Sequence, residues 1–399
     1  MCRAPERRRF ARLLVLASFC AVLLVSSADA QLRPDPAILA AAPADVVERV
    51  RADPFTFFRF INRAWIIRVC QAFADMPDVP HVRLHGDAHV EQFALTSDAW
   101  GLDDFDDSAR GPAFVDITRF LGSIDLAARQ RGWSSDRDAL WDRFLEGYRR
   151  GLSDPAYRPP EPDIVRHVRR EGSQSRAASL AWGESQMRPL DEVRSKAVVA
   201  AMEDFEQLMR RQRPEFAPGY FAVIRAGWLN LGVGSSGLRK ILIRVQGPTS
   251  DPHDDVLLEA KEAADLEGIG CLGGQSIPAA ARIIEGTRQL ARLRHDILAV
   301  GPRQSVPAAP DREAHLLEWW VASWDPSYRE VRLTDLRSMT DLAEIAYDAG
   351  VQLGAAEPVD MSQRRQSLSS IGKLEGRLRK ETSTIVEELL AAWRELAGR

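Results

Sequence analysis

The sequence predicts an α+β fold, in which a mostly helical part precedes a small antiparallel sheet and further helices follow it. Apolar residues recur every three to four positions through much of residues 54–215, as they do along one face of a helix. From Tyr220 onward, short apolar runs alternate with glycine-containing turns, which is the pattern of antiparallel strands. Of the 399 residues, 45% are hydrophobic and 28% are charged, so the chain can bury cores in both parts.

The first thirty residues are typical of a signal peptide. Arginines precede the apolar stretch Leu13–Val25, and Ala28-Asp29-Ala30 has the small-x-small pattern of a cleavage site. We expect cleavage after Ala30 and export to the periplasm or the medium, and Arg7-Arg8-Arg9-Phe10 fits a twin-arginine signal. An N-terminal anchor in the inner membrane is the alternative, because Leu13–Ala30 is near the lower limit of ~18 residues for a span.

The remaining chain divides into four expected regions. Residues 31–53 are expected to form a linker, residues 54–215 a helical lobe with the catalytic loop, residues 216–330 a small sheet lobe, and residues 331–399 C-terminal helices. Helices are predicted at 54–69, 114–128, 136–152, 280–299, 339–354 and 363–397, and several more within 163–213. Strands are predicted at 221–225, 228–233, 238–245, 256–260 and 319–324.

Charge and cysteine content restrict the function and the compartment. The formal net charge of −4 argues against a nucleic-acid-binding surface as the main function. Cys2 and Cys20 would leave with the signal peptide, so that Cys70 and Cys271 remain. These two can pair in an oxidising compartment, but the sequence does not bring them together, and two buried free thiols are the alternative.

The first candidate site is the turn His85-Gly86-Asp87-Ala88-His89-Val90-Glu91-Gln92, which follows a short apolar run. Clustered Asp and His residues at a strand end are typical of sites that bind a metal ion or activate a hydroxyl. Asp87 is suited to accept a proton from an attacking hydroxyl, with His85 and His89 as further catalytic candidates. The amide of Gln92, five residues later, is suited to contact a metal ion.

A second acid-rich turn, Asp103-Asp104-Phe105-Asp106-Asp107, follows about fifteen residues later. The carboxylates of Asp104 and Asp106 suit Mg²⁺, which prefers oxygen ligands and keeps substrate phosphates in its shell. A solvated loop or a calcium loop would show the same residues. The pairing with the His-Gly-Asp turn favours the magnesium site.

A glycine-rich turn and a lysine form the third candidate site. The turn contains Gly232, Gly234, Ser235 and Gly237, and such turns let backbone amides approach phosphates, although ordinary hairpins look alike. Lys261 ends the apolar run that starts at residue 256, and the chain has 53 basic residues of which only Lys196, Lys240, Lys261, Lys373 and Lys380 are lysines. We expect Lys261 to neutralise phosphates and to pair with Glu285 of the following helix, or with Glu262 as the rival partner.

These motifs, in this order, resemble those of the bacterial domain-of-unknown-function family 2252 over residues 50–350. The matching segments are Asp53-Pro-Phe-Thr-Phe-Phe-Arg59, His85-Gly-Asp-Ala-His-Val-Glu-Gln-Phe93, Asp104-Phe-Asp-Asp107, Gly111-Pro112, Val115-Asp116, Gly232-Val-Gly-Ser-Ser-Gly237 and Lys261-Glu-Ala263. The family is grouped by resemblance with protein-kinase-like and aminoglycoside-phosphotransferase-like folds. That resemblance implies a bilobal fold using ATP and Mg²⁺, with Asp87 as catalytic base and Asp104 as principal metal ligand.

The chain departs from the kinase-like pattern in three places. The glycine-rich turn and Lys261 follow the catalytic Asp instead of preceding it, so the resemblance implies a permuted order of lobes. Gln92 stands where a metal-binding Asn is usual, and its side chain is longer by one methylene. Gly354-Ala-Ala-Glu357 stands where the family has a His-Ala-Arg-like stretch.

Three functions are compatible with the sequence. The first is a kinase-like phosphotransferase that uses Mg-nucleotide and an unknown small-molecule or protein acceptor. The second is a divalent-metal-dependent hydrolase, in which His85, Asp87 and His89 face one metal ion and Asp104 or Asp106 bridges to it. The third is a catalytically inactive, kinase-like binding protein of the periplasm, which both Gln92 and the signal peptide favour.

Overall fold

A computed structural model describes residues 32–76, 79–172, 175–229, 231–233, 237–273, 277–302, 304–306 and 315–398. The predicted signal peptide, and Gly234 and Ser235 of the glycine-rich turn, lie outside the described residues. The residues from Leu32 onward form one unit by their internal contacts.

Helices and strands occur in the order that the sequence predicts. The helices are α1 (Pro36–Ala41), α2 (Ala44–Ala52), α3 (Pro54–Phe60), α4 (Asn62–Ala72), α5 (Phe114–Arg131), α6 (Arg137–Ser153), α7 (Asp163–Arg170), α8 (Arg176–Ser185), α9 (Glu192–Gln212), α10 (Ala279–Leu290), α11 (Met339–Ala356) and α12 (Met361–Ala397). The strands are β1 (His81–Leu84), β2 (Phe93–Leu95), β3 (Trp100–Leu102), β4 (Ala109–Pro112), β5 (Met187–Arg188), β6 (Val223–Leu229), β7 (Lys240–Val245), β8 (Val256–Glu262), β9 (Leu298–Val300), β10 (Gln304–Val306), β11 (His315–Leu317), β12 (Trp319–Ser323) and β13 (Arg329–Glu330). The α+β class is therefore confirmed.

The largest core is built around α5, which is buried at every position from Phe114 to Ala128. Helices α3, α4, α6, α11 and α12 pack around it, and Val46 and Val50 of α2 join the same core. Helices α6 and α11 approach closely through glycines. A Cβ at Gly147 would lie 2.1 Å from the backbone oxygen of Tyr347, and one at Gly350 would lie 2.2 Å from that of Phe144. Larger residues at these positions would push the helices apart.

The second layer is an antiparallel sheet with the strand order β5-β6-β7-β8-β12-β9. Helix α9 covers one face with Val198, Met202, Phe205 and Met209. Helix α10 covers the other face with Ala280, Ile283 and Ile284, which pack against Trp320 and Ala322 of β12. The strand that carries Lys261 therefore lies in the middle of the sheet.

Three predicted element boundaries are wrong. The stripe from Phe55 to Val69 forms two helices, because the backbone leaves the helical conformation at Ile61. The two strands predicted at 221–225 and 228–233 are one strand, β6, with a register shift near Val223. The helix predicted at 280–299 ends at Leu290, because Leu298 already pairs with Ala322 in the sheet.

Cys70 and Cys271 form a disulfide with their Cα atoms 5.3 Å apart. The alternative of two free thiols is therefore wrong. The two cysteines are 201 residues apart in sequence, and tertiary packing of α4 against the segment after β8 brings them together. Within the described ranges, no helix is long and apolar enough to cross a membrane.

Candidate active site

The His-Gly-Asp turn and the Asp-Phe-Asp-Asp turn lie against each other. Gly86 adopts a φ of 87°, and a Cβ there would lie 2.0 Å from the backbone oxygen of Asp107, so only glycine fits. The side chain of Asn62 joins the turns by donating to Gly86 O at 2.9 Å and to Asp107 Oδ2 at 2.8 Å. Two segments that the sequence separates thus form one surface.

Asp116 of α5 holds the His-Gly-Asp turn through two hydrogen bonds. Its carboxylate accepts the backbone N–H of His85 at 2.6 Å and that of Gly86 at 2.9 Å. Burial raises the pKa of Asp116 to about 6, although these two hydrogen bonds oppose the shift. The buried carboxyl of Glu357 adjoins Asp116 and also affects its pKa, and Tyr148 Oη donates to Glu357 Oε2 at 2.5 Å.

Asp87 is held by an arginine that is itself fully buried. Arg119 of α5 donates through Nε to Asp87 Oδ1 at 2.8 Å and through Nη2 to the backbone oxygen of Phe58 at 3.0 Å. The guanidinium carbon lies 3.5 Å from the centre of the Phe58 ring, which is a cation–π contact. Burial raises the pKa of Asp87 to about 7, while Arg119 opposes the rise. A carboxyl with a pKa near neutrality is suited to general-base catalysis.

The two histidines of this turn are neutral. Burial lowers the pKa of His85 to about 4, and its Nε2 lies 2.9 Å from the backbone oxygen of Asp103. His85 therefore links the two turns. Burial also lowers the pKa of His89, whose ring nitrogens have no hydrogen-bonding partner among the described residues. His89 Nε2 lies 3.7 Å from Asp87 Oδ2, beyond hydrogen-bonding distance.

Lys261 reaches across from the sheet to the second turn. Its Nζ lies 3.2 Å from Asp104 Oδ1 and 3.2 Å from Asp106 Oδ2. The side chain also lies beside Trp320, with Nζ 5.2 Å from the ring centre, and 3.8 Å from a carboxylate oxygen of Glu259. Asp104 has a φ of 60° and is the one non-glycine residue with positive φ in the described part of the chain. Such strained backbone often occurs at functional sites.

The charges of this cluster shift one another's pKa values. Burial tends to raise the pKa of Asp104, but Lys261, with help from Lys240 and Gln92, brings it below its ordinary value. Burial and the neighbouring Asp104 raise the pKa of Asp106 well above its ordinary value. Burial opposes the charge on Lys261, but Asp104 and Asp106 raise its pKa well above the ordinary value, so the ammonium stays charged.

Helix α10 positions the sheet relative to the acidic turns. Arg282 of α10 donates to the backbone oxygens of Ser108, beside the second turn, and of Ala264, at 2.8 Å, just after β8. Glu285 pairs with Arg83 of β1 at 2.8 Å, so the expected pair between Glu285 and Lys261 is not formed. Helix α10 faces the core helices at this point and leaves the Lys261 ammonium to the aspartates. The rival partner, Glu262, accepts from the backbone N–H of Arg239 at 3.1 Å.

Of the remaining predicted residues, Gln92 contacts Asp104, whereas Gly237 lies beside Ile38. Gln92 is buried, and its Nε2 donates to Asp104 Oδ2 at 3.4 Å. Gly232, with a φ of 87°, and Gly237 lie at the two ends of the glycine-rich turn that joins β6 to β7. Lys240, the first residue of β7, donates through Nζ to the backbone oxygen of Leu231 in this turn.

Two carboxyl groups, those of Asp104 and Asp106, face the same ammonium group. Among the described residues, no group of three or more His, Cys, Asp or Glu side chains is arranged to hold a metal ion. The ammonium of Lys261, however, lies between the carboxylates of Asp104 and Asp106, where it stands in for a cation. Carboxylate oxygens are ligands of the kind that Mg²⁺ prefers, whereas Gln92 presents its amide nitrogen to Asp104. Among the described residues, the alternate residues of the His-x-Asp-x-His run form no metal-holding group either.

Sequence reasoning missed three side chains of the site, namely Arg119, Asn62 and Lys240. Arg119 had a usable signal, because it is a lone arginine among apolar residues of α5 and is spaced three residues after Asp116. No sequence pattern indicated that Asn62 belongs to the site, because its two hydrogen-bonding partners are 24 and 45 residues away. Lys240 was recognisable only as one of few lysines.

The family model described as "Uncharacterized protein conserved in bacteria (DUF2252)" matches residues 45–181 and 168–387. The chain belongs to the DUF2252 family. The match to DUF2252 includes the two acidic turns, Lys261 and helix α10. No curated protein and no solved structure matches the chain.

Proposed function

We propose that this DUF2252 protein is a phosphotransferase that binds a magnesium nucleotide between the acidic turns and the sheet. One observation carries the proposal. Lys261 of β8 meets Asp104 and Asp106 at 3.2 Å each, although 157 and 155 residues separate them in sequence. A lysine on a sheet and a carboxylate on a facing turn are the groups that kinases use for nucleotide phosphates and for metal ions, respectively.

Asp87 is the proposed base. It would accept the proton of an acceptor hydroxyl while that oxygen bonds to the terminal phosphorus and the bond from this phosphorus to its bridging oxygen breaks, which releases the nucleoside diphosphate. Arg119 holds Oδ1, and Oδ2 makes no hydrogen bond with the described residues. The pKa of about 7 allows Asp87 both to take and to release the proton near neutral pH.

Asp104 and Asp106 would hold the magnesium ion, and the Gln92 amide, whose nitrogen faces Asp104, would rotate to offer its oxygen. Bound Mg²⁺ would neutralise charge on the phosphate oxygens. Lys261 would then turn from the aspartates to the phosphates, because the metal ion would take its place as their counter-cation. The strain at Asp104 is consistent with a carboxylate held ready for this role.

The proposed fold is kinase-like and bilobal, with the sheet lobe after the catalytic turns. Support comes from the order within the lobe, in which a glycine-rich turn, the Lys261 strand and helix α10 follow one another. The chain differs from kinases in the pairing of Glu285, because Arg83 takes the place that the lysine has in the kinase ion pair.

Export is part of the proposal. The Cys70–Cys271 disulfide supports an oxidising compartment, since such bonds persist mainly outside the cytosol. The same bond favours a second candidate, a periplasmic protein that binds a phosphorylated ligand without transferring phosphate. Gln92 also favours it, because its longer side chain changes where the amide lies relative to Asp104.

A thermal-shift titration of the mature protein with ATP and MgCl₂ tests the proposed ligand. We expect the melting temperature of the wild type to rise with ATP, and that of Lys261→Met to rise much less. Lys196→Met removes an exposed lysine on α9 and is the matched control. An absent shift in the wild type, or equal shifts in all three proteins, would exclude the proposal. Release of ADP distinguishes transfer from binding alone.

A further inference from the structure

Two of the five lysines lie directly opposite each other in the sheet. Lys240 of β7 and Lys261 of β8 are cross-strand partners, and Trp320 of β12 is the partner of Lys261 on its other side. Directly opposed residues point to the same face of a sheet, so both ammonium groups lie on the face that α10 and the acidic turns share. Lys240 is buried, with 5% of its surface exposed.

This arrangement is unfavourable for stability alone. Like charges directly opposite each other destabilise a sheet, and burial adds a desolvation cost. Burial and the neighbouring Lys261 lower the pKa of Lys240, while Glu259, Asp106 and Asp104 oppose the shift. The carboxylates therefore offset part of the repulsion between the two ammonium groups. A chain that uses arginine for most of its positive charge nevertheless has two lysines here, and a local conflict of this kind often marks a functional site.

We propose that Lys240 and Lys261 together bind two linked phosphate groups, so that the ligand is a diphosphate or triphosphate and not a monophosphate. This inference rests on the proposed function and specifies the ligand class of the same site. Lysine ammonium groups bind phosphates as point charges. Two of them on neighbouring strands, whose Cβ atoms are about 5 Å apart, can both reach one ligand that carries adjacent phosphates. Linked anions would remove the repulsion between the two cations.

A purely structural role for Lys240 makes a different prediction. Lys240 donates to the backbone oxygen of Leu231, and this bond would also serve to fix the glycine-rich turn. In that role a neutral donor of similar reach would replace it. Lys240→Gln keeps a donor and removes the charge, whereas Lys240→Met removes both.

Calorimetric titration of the mature protein in MgCl₂ with inorganic pyrophosphate and with inorganic phosphate tests the inference. We expect the wild type to bind pyrophosphate at least about tenfold more tightly than phosphate, since a charge-assisted hydrogen bond contributes about that much. Lys240→Met and Lys240→Gln should each weaken pyrophosphate binding about tenfold or more. Lys196→Met should bind pyrophosphate as the wild type does.

Three outcomes would overturn the inference: equal binding of the two anions by the wild type, unchanged pyrophosphate binding by Lys240→Met, or full recovery by Lys240→Gln. If Lys240→Met does not fold, Lys240→Gln carries the test. The same measurements distinguish failure of this inference from failure of the proposed function. If neither pyrophosphate nor ATP binds the wild type, both the inference and the proposed function are wrong. If Lys261→Met abolishes ATP binding and Lys240→Met leaves it unchanged, only the two-lysine site fails.

Discussion

The ammonium group of Lys261 lies 3.2 Å from the carboxylate of Asp104, although 157 residues separate the two along the chain. This contact joins the sheet to the second acidic turn at the point where Asp106 and Gln92 also lie. The buried ammonium is the cation that the two carboxyl groups share, so each of the three groups depends on the others.

Replacing Lys261 by methionine should destabilise the protein by about 3 kcal/mol, because it leaves the carboxylates of Asp104 and Asp106 without their cation. Urea unfolding at pH 7.5 measures the loss. The exposed control Lys196→Met should change the free energy of unfolding by less than about 0.5 kcal/mol. Equal effects of the two substitutions would show that the Lys261 contact contributes nothing to stability.

The pKa of Asp87 predicts how stability depends on pH. Its pKa is about 7 in the folded protein and near the ordinary aspartate value of 3.8 in the unfolded chain. Between about pH 4 and pH 7 the folded state binds more protons than the unfolded chain does. The contribution of Asp87 to stability is therefore full below about pH 4 and is lost as the pH rises through 7.

Asp87→Asn removes that titration and provides the comparison. The stability of the wild type relative to Asp87→Asn should fall as pH rises from 4 to 7, by at most about 1.4 kcal/mol per pH unit. Urea unfolding of both proteins at pH 5, 6, 7 and 8 measures the difference. A difference that is constant, or that grows with pH, would contradict the raised pKa.

Glu357 and Asp116 should share one proton beneath the His-Gly-Asp turn. Two buried carboxyls in contact cannot both be ionised cheaply, and burial together with Asp116 raises the pKa of Glu357 well above its ordinary value. Glu357→Gln keeps a donor toward Asp116 and should cost about 1 kcal/mol, whereas Glu357→Ala also opens a cavity and should cost about 3 kcal/mol.

Amide hydrogen exchange at His85 and Gly86 provides a second measurement, because Asp116 binds both N–H groups. Exchange at these two amides should accelerate in Glu357→Ala more than in Glu357→Gln. Equal acceleration in the two variants would mean that Glu357 only fills space.

The Cys70–Cys271 disulfide should contribute substantially to stability, because it closes a loop of about 200 residues. Chain entropy sets an upper value of about 5 kcal/mol for a loop of this length. Urea unfolding of the oxidised wild type and of a Cys70→Ser, Cys271→Ser double variant measures the difference. If the two proteins unfold at the same urea concentration, the bond does not constrain the unfolded chain.

The sequence predicted the α+β class and the order of the main helices and strands, and it singled out Asp104 and Lys261 as site candidates, because each depends on local pattern or on rare residue types. It did not predict which residues meet. The pairing of Glu285 with Arg83, the disulfide, and the bridging by Asn62 all depend on how helices pack over tens or hundreds of residues. Local pattern also gave wrong element boundaries where strand pairing determines the structure. Leu298 was predicted to be helical but belongs to the sheet.

Labelling of the lysines by an acyl-phosphate derivative of ATP tests the central claim most directly. This reagent transfers its acyl group to lysines next to the bound phosphates, and mass spectrometry identifies the modified residue. We predict that Lys261 is acylated, that excess ATP with Mg²⁺ suppresses the modification, and that Asp104→Asn weakens it. Acylation confined to Lys196, Lys373 and Lys380, or insensitive to competing ATP, would contradict a nucleotide site at Lys261.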